Sequence, residues 1–317
     1  MEVVKLRPYI KEIVWGGNTL RGYGKVSDGK NIAECWELSL HKEGSSIIDS
    51  GELKGKALAD VLTKEDYGKN CEKFPFFPTL IKLIDADREL SVQVHPSDEY
   101  ALKNENSFGK TEMWYILEAK KGAGIYLGFK RDTTKEEVKQ KIKDNTLVDL
   151  LNFIEVKPGD CYFVKSGTVH AIGGGITLFE VQQNSALTYR LYDWGKLGMD
   201  GKPRELHIDK SLKVMNFKKF KPEVFKRPLL GECDYFSTFE VEIGKEKGGQ
   251  EEIAPIASAA ATRTYLYNDK SFISITFVEG SGLVNDISFA KGDTFFIPAG
   301  KKVFVKGNGK YLLTTIK

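Results

Sequence analysis

Short segments in which apolar and polar residues alternate follow one another through much of the chain, with glycine between them. Isoleucine, valine, tyrosine and phenylalanine dominate these segments, and this pattern is typical of half-buried antiparallel strands. The clearest examples are TLIKLIDADRELSVQVH, MWYILEA, AGIYLGF, DCYFVKS, ITLFEVQQ and LTYRLYDW. Because Gly and Asp mark the turns between them, the succession predicts a mainly β fold, either a barrel or a jelly roll.

Helical patterns are fewer, and they interrupt the strands instead of alternating with them. Residues 134–153 show near-helical spacing of apolar positions, with Thr134 and Glu137 as a capping box at the start and Asp144-Asn145 as a point that can divide the segment into two helices. Segments 57–67 and 96–106 are shorter helical candidates. This arrangement argues against a parallel sheet built from βαβ units.

Two distant segments share one pattern. PGDCYFVKSGTVHAI (158–172) and KGDTFFIPAGKKVFV (291–305) both contain a Gly-Asp turn, alternating aromatic residues, and then a small residue followed by glycine. His170 lies just beyond the second turn of the first copy, and Val303 stands at the equivalent place in the second. A chance recurrence of Gly-Asp turns would explain the dipeptide but not the longer register. We therefore predict two related β units.

The predicted units divide the chain into three parts. Residues 1–209 form a metal-binding domain with a helical insertion around 134–153, and residues 229–317 form a second, metal-free β domain. The basic and polar segment 210–228 between them reads as a connection, and its lysines are interpreted as a solvated face.

Three separated segments supply residues that can converge on one cation. His95 lies in SVQVHPSDEYA, Glu112 in GKTEMWYIL and His170 in SGTVHAIGGG. Gln93 precedes His95 by two positions, and residues two apart in a strand project to the same face. Two imidazoles and a carboxylate suit Zn²⁺, Fe²⁺ or Mn²⁺ and leave coordination positions open, as in a catalytic site. The affinity order favours zinc, so we predict one zinc ion per chain.

Each of these residues also has a simpler interpretation. A single histidine more often has a structural role, Gln93 could satisfy nearby backbone groups, and Glu112 could pair with Lys110. However, an inward-facing carboxylate beside Met113, Trp114 and Tyr115 needs a partner that offsets its desolvation, and a cation provides one.

Charge and cysteine content limit the function classes. The 47 basic and 44 acidic residues give a net charge of +3, and no basic stripe with interleaved aromatic residues indicates nucleic-acid binding. No signal-like segment or apolar run of membrane-spanning length is present in the sequence, so no membrane association is predicted. The four cysteines form no CxxC pair and are interpreted as reduced thiols. These features predict a cytoplasmic protein.

As an ordered set, these segments resemble the short bacterial form of type I mannose-6-phosphate isomerase, a zinc enzyme of the cupin superfamily. WGGNTLRGYGK, AECWELSLHKEGSS and TYRLYDWGK extend the match over nearly all of the first two-thirds of the chain. Cys35 departs from the family pattern, in which a small hydroxyl residue is expected. The resemblance implies a cupin jelly roll with a helical insertion and a second, degenerate cupin domain.

The resemblance also implies a reaction and a metal site. The expected reaction interconverts mannose 6-phosphate and fructose 6-phosphate by moving a proton between C1 and C2. The zinc ligands implied are Gln93, His95, Glu112 and His170. The expected partner is a sugar phosphate, and the sequence leaves the oligomeric state open.

Three further residues receive roles through the resemblance. Arg190 matches an active-site arginine, Glu180 a carboxylate near the sugar, and Lys110 a lysine that lines the pocket. Glu180 is a candidate base, and its alternative role is to hold Arg190 or Lys110 in place. Arg190 and Lys110 would bind the phosphate or a developing oxyanion.

The sequence leaves two competing functions open. An iron-dependent cupin dioxygenase would use the same two histidines and glutamate with a redox-active metal. A non-catalytic sugar-binding cupin would keep the metal as a structural element. Neither alternative predicts the full ordered set of segments.

Overall fold

The computed structural model describes residues 1–197, 201–244, 250–254, 257–260 and 263–317. Strands dominate these ranges. Those of the first two-thirds of the chain are β1 (Val4–Arg7), β2 (Tyr9–Lys11), β3 (Glu34–Leu38), β4 (Leu40–His41), β5 (Gly44–Ser45), β6 (Ile47–Ile48), β7 (Thr79–Ala86), β8 (Val92–Val94), β9 (Glu112–Ala119), β10 (Gly124–Phe129), β11 (Leu151–Glu155), β12 (Cys161–Val164), β13 (His170–Ile172), β14 (Ile176–Gln183) and β15 (Tyr189–Tyr192).

The remaining strands belong to the C-terminal part. They are β16 (Leu229–Cys233), β17 (Phe236–Ile243), β18 (Gln250–Ala254), β19 (Ala257–Ala260), β20 (Arg263–Leu266), β21 (Ile273–Val284), β22 (Ile287–Ala290), β23 (Thr294–Ile297) and β24 (Val303–Thr315). The α-helices are α1 (Leu58–Val61), α2 (Lys64–Tyr67), α3 (Asp98–Glu105), α4 (Lys135–Lys143) and α5 (Ile208–Val214). Short 3-10 helices cover Thr19–Tyr23, Lys69–Cys71 and Leu147–Leu150.

Two antiparallel sheets enclose the first core. One has the order β12-β9-β14-β7-β3-β2 and the other β11-β10-β13-β8-β15. Most consecutive strands from β7 to β15 alternate between these sheets, which is the connectivity of a jelly roll. Trp114 and Leu178 of the first sheet pack with Ile125 and Ile172 of the second in one buried cluster.

The opposite face of the six-stranded sheet packs on the C-terminal sheet. Leu83 and Phe179 share a buried cluster with Phe236, Phe272 and Phe296 from that side. Every residue of β7 is therefore buried, because both faces of the strand are covered. The sequence of β7 is almost continuously apolar because a strand that is buried on both faces has no side exposed to water.

The C-terminal sheet has eleven strands, and its main path is β18-β19-β20-β24-β21-β23-β1-β6. The first strand of the chain belongs to this sheet, since Val4 pairs with Phe296. The division at residues 209 and 229 stays a prediction, and residues 4–7 nevertheless add a strand to the C-terminal side. Helix α5 occupies the start of the predicted connection at 210–228.

The two segments with a shared sequence pattern also share their local structure. Gly159 and Gly292 have positive φ angles of 89° and 94° at the first turn. The aspartate after each glycine accepts a hydrogen bond from the backbone N–H three residues before it. Strands β12 and β23 follow, and β13 and β24 then begin at His170 and Val303. Whether the second unit is a degenerate cupin domain remains a prediction.

The predicted helical insertion is shorter in the structure. Helix α4 ends at Lys143 and a 3-10 helix covers Leu147–Leu150, so the division at Asp144-Asn145 is confirmed. Residues 151–153 form part of β11, so the prediction of helix up to residue 153 is wrong there. Leu151 pairs with Phe129 and Phe153 with Tyr126 of β10, so this segment is a strand and not a continuation of the helix. The Thr134 hydroxyl caps α4 by accepting the Glu137 N–H at 3.2 Å. No helix in the described part of the chain is long and apolar enough to cross a bilayer.

Candidate metal centre and adjoining cavity

His95, Glu112 and His170 meet in the interior of the jelly roll. His95 follows β8, Glu112 begins β9 and His170 begins β13. Their side chains are almost completely buried, and one potential ligand atom from each lies within 4.8 Å of the others. His95 Nε2 is 3.6 Å from Glu112 Oε2, and His170 Nε2 is 3.3 Å from Glu112 Oε1.

Backbone contacts fix the orientation of both imidazoles. Nδ1 of His95 lies 2.9 Å from the carbonyl oxygen of Leu187, and Nδ1 of His170 lies 2.8 Å from that of Thr168. Since a carbonyl oxygen only accepts, each Nδ1 carries the proton and each Nε2 keeps its lone pair. Both lone pairs are thus available to a metal, as in protein sites where the second ring nitrogen binds a backbone group.

The electrostatics also keep the imidazoles neutral. Burial lowers the pKa of His95 well below its usual value, and the Lys110 ammonium lowers it further. Burial likewise lowers the pKa of His170 to about 4. For Glu112, burial raises the pKa of the carboxyl group, an effect that Lys110 opposes.

The donor set fits a divalent metal ion. Both oxygens of Glu112 are buried; Oε2 faces the Lys110 ammonium, whereas Oε1 has no hydrogen-bond partner among the described residues. In a tetrahedral site with bonds of 2.0–2.1 Å, neighbouring ligand atoms lie about 3.3–3.4 Å apart. The separations of Glu112 from the two histidines are close to this spacing. A buried carboxylate that faces the Nε2 atoms of two neutral imidazoles, with one oxygen lacking a hydrogen-bond partner, therefore matches a cation site.

Gln93 of β8 is the fourth residue of the group of metal-ligand candidates. It pairs with His170 between β8 and β13, and its amide nitrogen lies 3.4 Å from His170 Nε2. A half-turn about the last side-chain torsion exchanges the amide nitrogen and oxygen, so the same position can present an oxygen ligand.

Lys110 connects the ligand group to the adjoining cavity. Its Nζ lies 3.0 Å from Glu112 Oε2 and 3.3 Å from His95 Nε2, and the residue is 5% exposed. The pairing of Glu112 with Lys110, which the sequence left as an alternative to metal binding, is thus present, yet the second oxygen of Glu112 faces His170.

A second group of charges lies on the inner face of the six-stranded sheet. Glu180 pairs with Trp114 on one side and with Lys82 on the other, so the three side chains are neighbours. Trp114 Nε1 donates to Glu180 Oε2 at 2.9 Å, and Lys82 Nζ lies 3.4 Å from Glu180 Oε1. Lys82 also lies 3.2 Å from Glu34. Burial lowers the pKa of Lys82, but the two carboxylates outweigh burial and raise it overall.

Arg190 lies on the facing sheet, beside Gln93 in the ladder between β8 and β15. Its backbone N–H donates to His207 Nδ1 at 3.2 Å, and its Nη1 donates to the carbonyl oxygen of Glu205 at 2.9 Å. Its Nε is buried without a hydrogen-bond partner among the described residues. The guanidinium thus keeps donor capacity for a ligand.

A cavity of about 250 Å³ joins these groups. Its charged and amide-bearing lining residues are Lys11, Glu34, Lys82, Gln93, Lys110, Glu180, Arg190 and Arg204. The cavity therefore runs from the ligand group, through Gln93 and Lys110, to the arginines. Mixed charge and moderate size suit a polar, charged small molecule.

The structure brings together all seven residues singled out from the sequence. Gln93, Lys110, Glu180 and Arg190 line the cavity, and His95, Glu112 and His170 form the adjoining group of metal-ligand candidates. Sequence reasoning missed Glu34, Trp36, Lys82 and Arg204, which also line the cavity. A lysine inside the apolar run TLIKLIDA is a signal that could have identified Lys82, because a buried charge needs a local partner. Glu34 and Trp36 are two apart in AECWELS, so they share a strand face.

Comparisons with known proteins support one family. The family model described as "Phosphomannose isomerase type I, catalytic domain" matches residues 3–128. The chain is 38% identical over 307 residues to mannose-6-phosphate isomerase ManA of Bacillus subtilis, with 94% of each chain covered. It is 40% identical over 221 residues to the mannose-6-phosphate isomerase of Streptococcus mutans, with 69% of each covered.

Solved structures agree with the sequence relatives. The crystal structure of the mannose 6-phosphate isomerase from Bacillus subtilis superposes with a TM-score of 0.85 at 31% identity, covering 99% of both chains. A putative mannosephosphate isomerase from Archaeoglobus fulgidus, at 24% identity and a TM-score of 0.79, covers 99% of this chain and 97% of its own and shares the fold. The predicted mainly β, cupin-type fold is confirmed.

Proposed function

The chain belongs to the type I phosphomannose isomerase family, whose members interconvert mannose 6-phosphate and fructose 6-phosphate, and we propose that it performs this reaction with one bound zinc ion. The proposed ligands are Gln93, His95, Glu112 and His170. One observation carries the proposal: two imidazoles with fixed Nδ1 protons direct their Nε2 atoms at the buried Glu112 carboxylate, whose Oε1 has no hydrogen-bond partner among the described residues. Zinc is supported by the nitrogen and oxygen donors and by the affinity order of the divalent metals.

The reaction moves a proton between C1 and C2 of the sugar without net oxidation. When bound, the metal supplies Lewis-acid stabilisation of the substrate oxygens. Lys110 lies beside both the ligands and the cavity, so its ammonium can donate to a substrate oxygen on which negative charge develops. Trp15, Ile84 and Ile172 line the cavity and pack in one buried apolar cluster with Trp114, and this cluster restricts the access of water to the cavity.

We propose Glu180 as the group that carries the proton between the two carbons. It lines the cavity, and its contacts with Trp114 and Lys82 hold the carboxylate in one orientation. A fixed carboxylate can accept a proton from one carbon and return it to the next. The alternative role is purely positional: the sequence suggested Arg190 or Lys110 as the residue held, but the contacts of Glu180 in the described part of the chain are with Trp114 and Lys82, so it would hold Lys82.

Arg190 is proposed to bind the anionic part of the substrate. Its guanidinium lines the cavity one strand away from Gln93, and its unpartnered Nε and planar fork suit phosphate. We also propose a cytoplasmic location, for which the free state of Cys35, Cys71, Cys161 and Cys233 in the structure is supporting evidence.

Metal removal and replacement test the metal site. The purified protein is treated with a chelator and its zinc, iron and manganese contents are measured beside isomerase activity in a coupled assay. We expect activity to disappear with the metal and to return when one equivalent of zinc is added. The thermal midpoint should rise on zinc addition, because a ligand that binds only the folded state stabilises it. Full activity of the metal-free protein would refute the site.

A matched variant separates the ligand role from a structural role. Glu112→Gln keeps the size of the side chain and removes its negative charge, and it should lose bound zinc. Glu118→Gln is the control, because Glu118 lies in the same strand and contacts Tyr23 and Lys291 outside the cavity. If Glu112→Gln bound zinc as tightly as this control, Glu112 could not be a ligand.

A further inference from the structure

A paired arginine and aspartate border the cavity next to Arg190. Arg204 Nε donates to Asp193 Oδ2 at 2.7 Å, and its Nη2 donates to Asp193 Oδ1 at 2.5 Å. Asp193 is 6% exposed, so its carboxylate depends on this two-point contact to offset the loss of water. The contact holds the plane of the Arg204 guanidinium and uses Nε and Nη2, so Nη1 lies outside the fork.

The turn that presents Asp193 is held by specific contacts. Trp194 has a φ of 58° and Gly195 a φ of 70°, so two successive residues are in the left-handed region. This conformation is rare for a bulky residue and persists only where surrounding contacts enforce it. The Trp194 indole N–H donates to the carbonyl oxygen of Leu90 at 2.8 Å, and Leu90 itself lines the cavity. Asp193 is therefore tied to the cavity wall.

The segment that carries Arg204 runs beside Arg190. The Arg190 guanidinium donates to the carbonyl oxygen of Glu205, and the His207 N–H donates to the carbonyl oxygen of Arg190 at 2.7 Å. Both arginines line the cavity. Burial lowers the pKa of Arg190, and the neighbouring Arg204 guanidinium lowers it further, as expected for two like charges at close range.

Arg190 is a cavity cation for which the described residues supply no ion pair. Lys82 faces two carboxylates, Lys110 faces Glu112, and Arg204 is paired with Asp193. Asp193 and Glu205 act on Arg190 only through longer-range attraction, and Arg204 repels it. A bound anion would relieve this repulsion. In a hexose 6-phosphate the phosphate is at the far end of the carbon chain from C1 and C2, so it binds at a distance from the reacting carbons.

We propose that Arg204 is a specificity-determining residue that binds the phosphate group of the substrate together with Arg190, and that Asp193 positions it. This inference rests on the proposed function above, in which the cavity beside Glu112 holds the sugar phosphate. Arg190 and Arg204 approach the phosphate from neighbouring segments, and the Asp193 fork leaves Nη1 of Arg204 for a phosphate oxygen.

The test compares Arg204→Ala with the wild-type enzyme. The KM for mannose 6-phosphate should rise about ten- to a hundredfold, the size expected for a lost charged hydrogen bond, while kcat stays within about threefold. The inhibition constant of inorganic phosphate should rise by a similar factor. The inhibition constant of an uncharged sugar alcohol should not change, because it makes no contact at the phosphate position. Asp193→Asn should show the same pattern with a smaller amplitude.

Controls keep the result interpretable. Arg131→Ala removes an arginine whose partner is Glu137, outside the cavity, and should leave all constants unchanged. If Arg204→Ala does not fold, Arg204→Lys retains the charge without the fork and should raise the KM about three- to tenfold. A KM and a phosphate inhibition constant within twofold of wild type in the folded variant would overturn the proposal. Equal weakening of phosphate and sugar alcohol would also overturn it, because that pattern indicates a general distortion.

Different results would refute the role of Arg204 and the proposed isomerase function. If the wild-type enzyme did not isomerise mannose 6-phosphate, the function would be wrong. If Arg190→Ala also left phosphate inhibition unchanged, the cavity would not be the phosphate site. If only the Arg204 variants were unchanged, the role of Arg204 alone would be refuted.

Discussion

Gln93 and Arg190 are direct neighbours across the ladder between β8 and β15. On its other side Gln93 pairs with His170 of β13, so a metal-ligand candidate, an amide and a guanidinium form one row across three strands. The facing sheet carries a second row, in which Glu180 pairs with Trp114 on one side and with Lys82 on the other. The cavity lies between these rows, so the proposed proton-transferring group, Glu180, and the proposed anion-binding group, Arg190, both lie on strands.

Replacing His170 should remove the metal and the activity together. His170→Gln keeps a polar side chain at the position but replaces the imidazole with an amide, so the Nε2 lone pair is lost. We expect kcat to fall at least about a thousandfold, with the zinc content falling in parallel, because a missing ligand abolishes metal binding. Metal analysis and steady-state kinetics on the same preparation check this. Val303→Gln, at the equivalent place in the second β unit, is the control and should retain zinc.

Lys82→Met should destabilise the fold as well as reduce activity. The substitution leaves Glu34 and Glu180 buried or half-buried without their shared cation, and such losses cost about 3 kcal/mol. Urea unfolding measures the free-energy difference. Lys120→Met, which removes an exposed ion pair with Asp87, should unfold like the wild type. If Lys82→Met unfolded at the same urea concentration as the wild type, Lys82 would not be the group that stabilises the charges of Glu34 and Glu180.

The effect of Lys25→Met on stability should depend on pH. Lys25 Nζ lies 2.7 Å from the fully buried Glu37, whose other oxygen accepts the Thr294 hydroxyl of the C-terminal sheet at 3.0 Å. Burial raises the pKa of Glu37, and Lys25 opposes this. The folded state thus holds the Glu37 proton more tightly than the unfolded state, so stability falls as pH rises from about 4.5 through the folded pKa.

Without Lys25 the folded pKa of Glu37 rises further, and the destabilised window extends to higher pH. We expect the variant to lose about 3 kcal/mol at pH 8 and much less at pH 4, where the carboxyl group is protonated in both states. Unfolding curves at the two pH values measure the difference. A loss that was independent of pH would contradict the assignment to Glu37.

His207 should make substrate binding weaken at acidic pH. Its Nδ1 accepts the Arg190 N–H, and a protonated imidazole cannot accept. Burial lowers the pKa of His207, an effect that the nearby Glu205 opposes and that Arg190 and Lys210 reinforce. Because the folded pKa is below about 6.5, this contact is intact at neutral pH and is lost as pH falls through the folded value.

His207→Asn tests this directly, since its amide oxygen accepts at every pH. The ratio of kcat/KM between variant and wild type should increase as pH falls through the folded pKa of His207, whereas His207→Leu should be impaired at all pH values. His41→Asn, at a histidine on the β4–β5 hairpin, is the matched control. A ratio for His207→Asn that did not change with pH would contradict the role of His207.

Several features were predictable because they depend on local pattern. Alternating apolar residues identified β9, β10, β12 and β14, and the Gly-Asp turns identified the strands that follow them. The spacing of Gln93 and His95 placed both beside one strand. The helix at 134–153 was extended too far, because Leu151 and Phe153 satisfy helical spacing in sequence but pair with β10 in space.

Other features depended on contacts between distant segments. Lys82 looks like an isolated charge in an apolar run until Glu34 and Glu180 are brought beside it by pairing with β3 and β14. Arg204 acquires significance only because the chain returns beside Arg190 and because Asp193 holds its guanidinium. Val4 joins the C-terminal sheet through a partner almost three hundred residues away, which no local pattern indicates.

The sequence by itself determined the strand-rich fold, the residue types able to hold a metal and the family to which the chain belongs, since these follow from periodicity and ordered motifs. The tertiary structure decided which charges face one another: the Nε2 atoms of His95 and His170 toward Glu112, Lys82 between two carboxylates, and two arginines at one end of the cavity. The physical reason is that burial gives such charges strong interactions only with immediate neighbours, and neighbours are set by strand pairing.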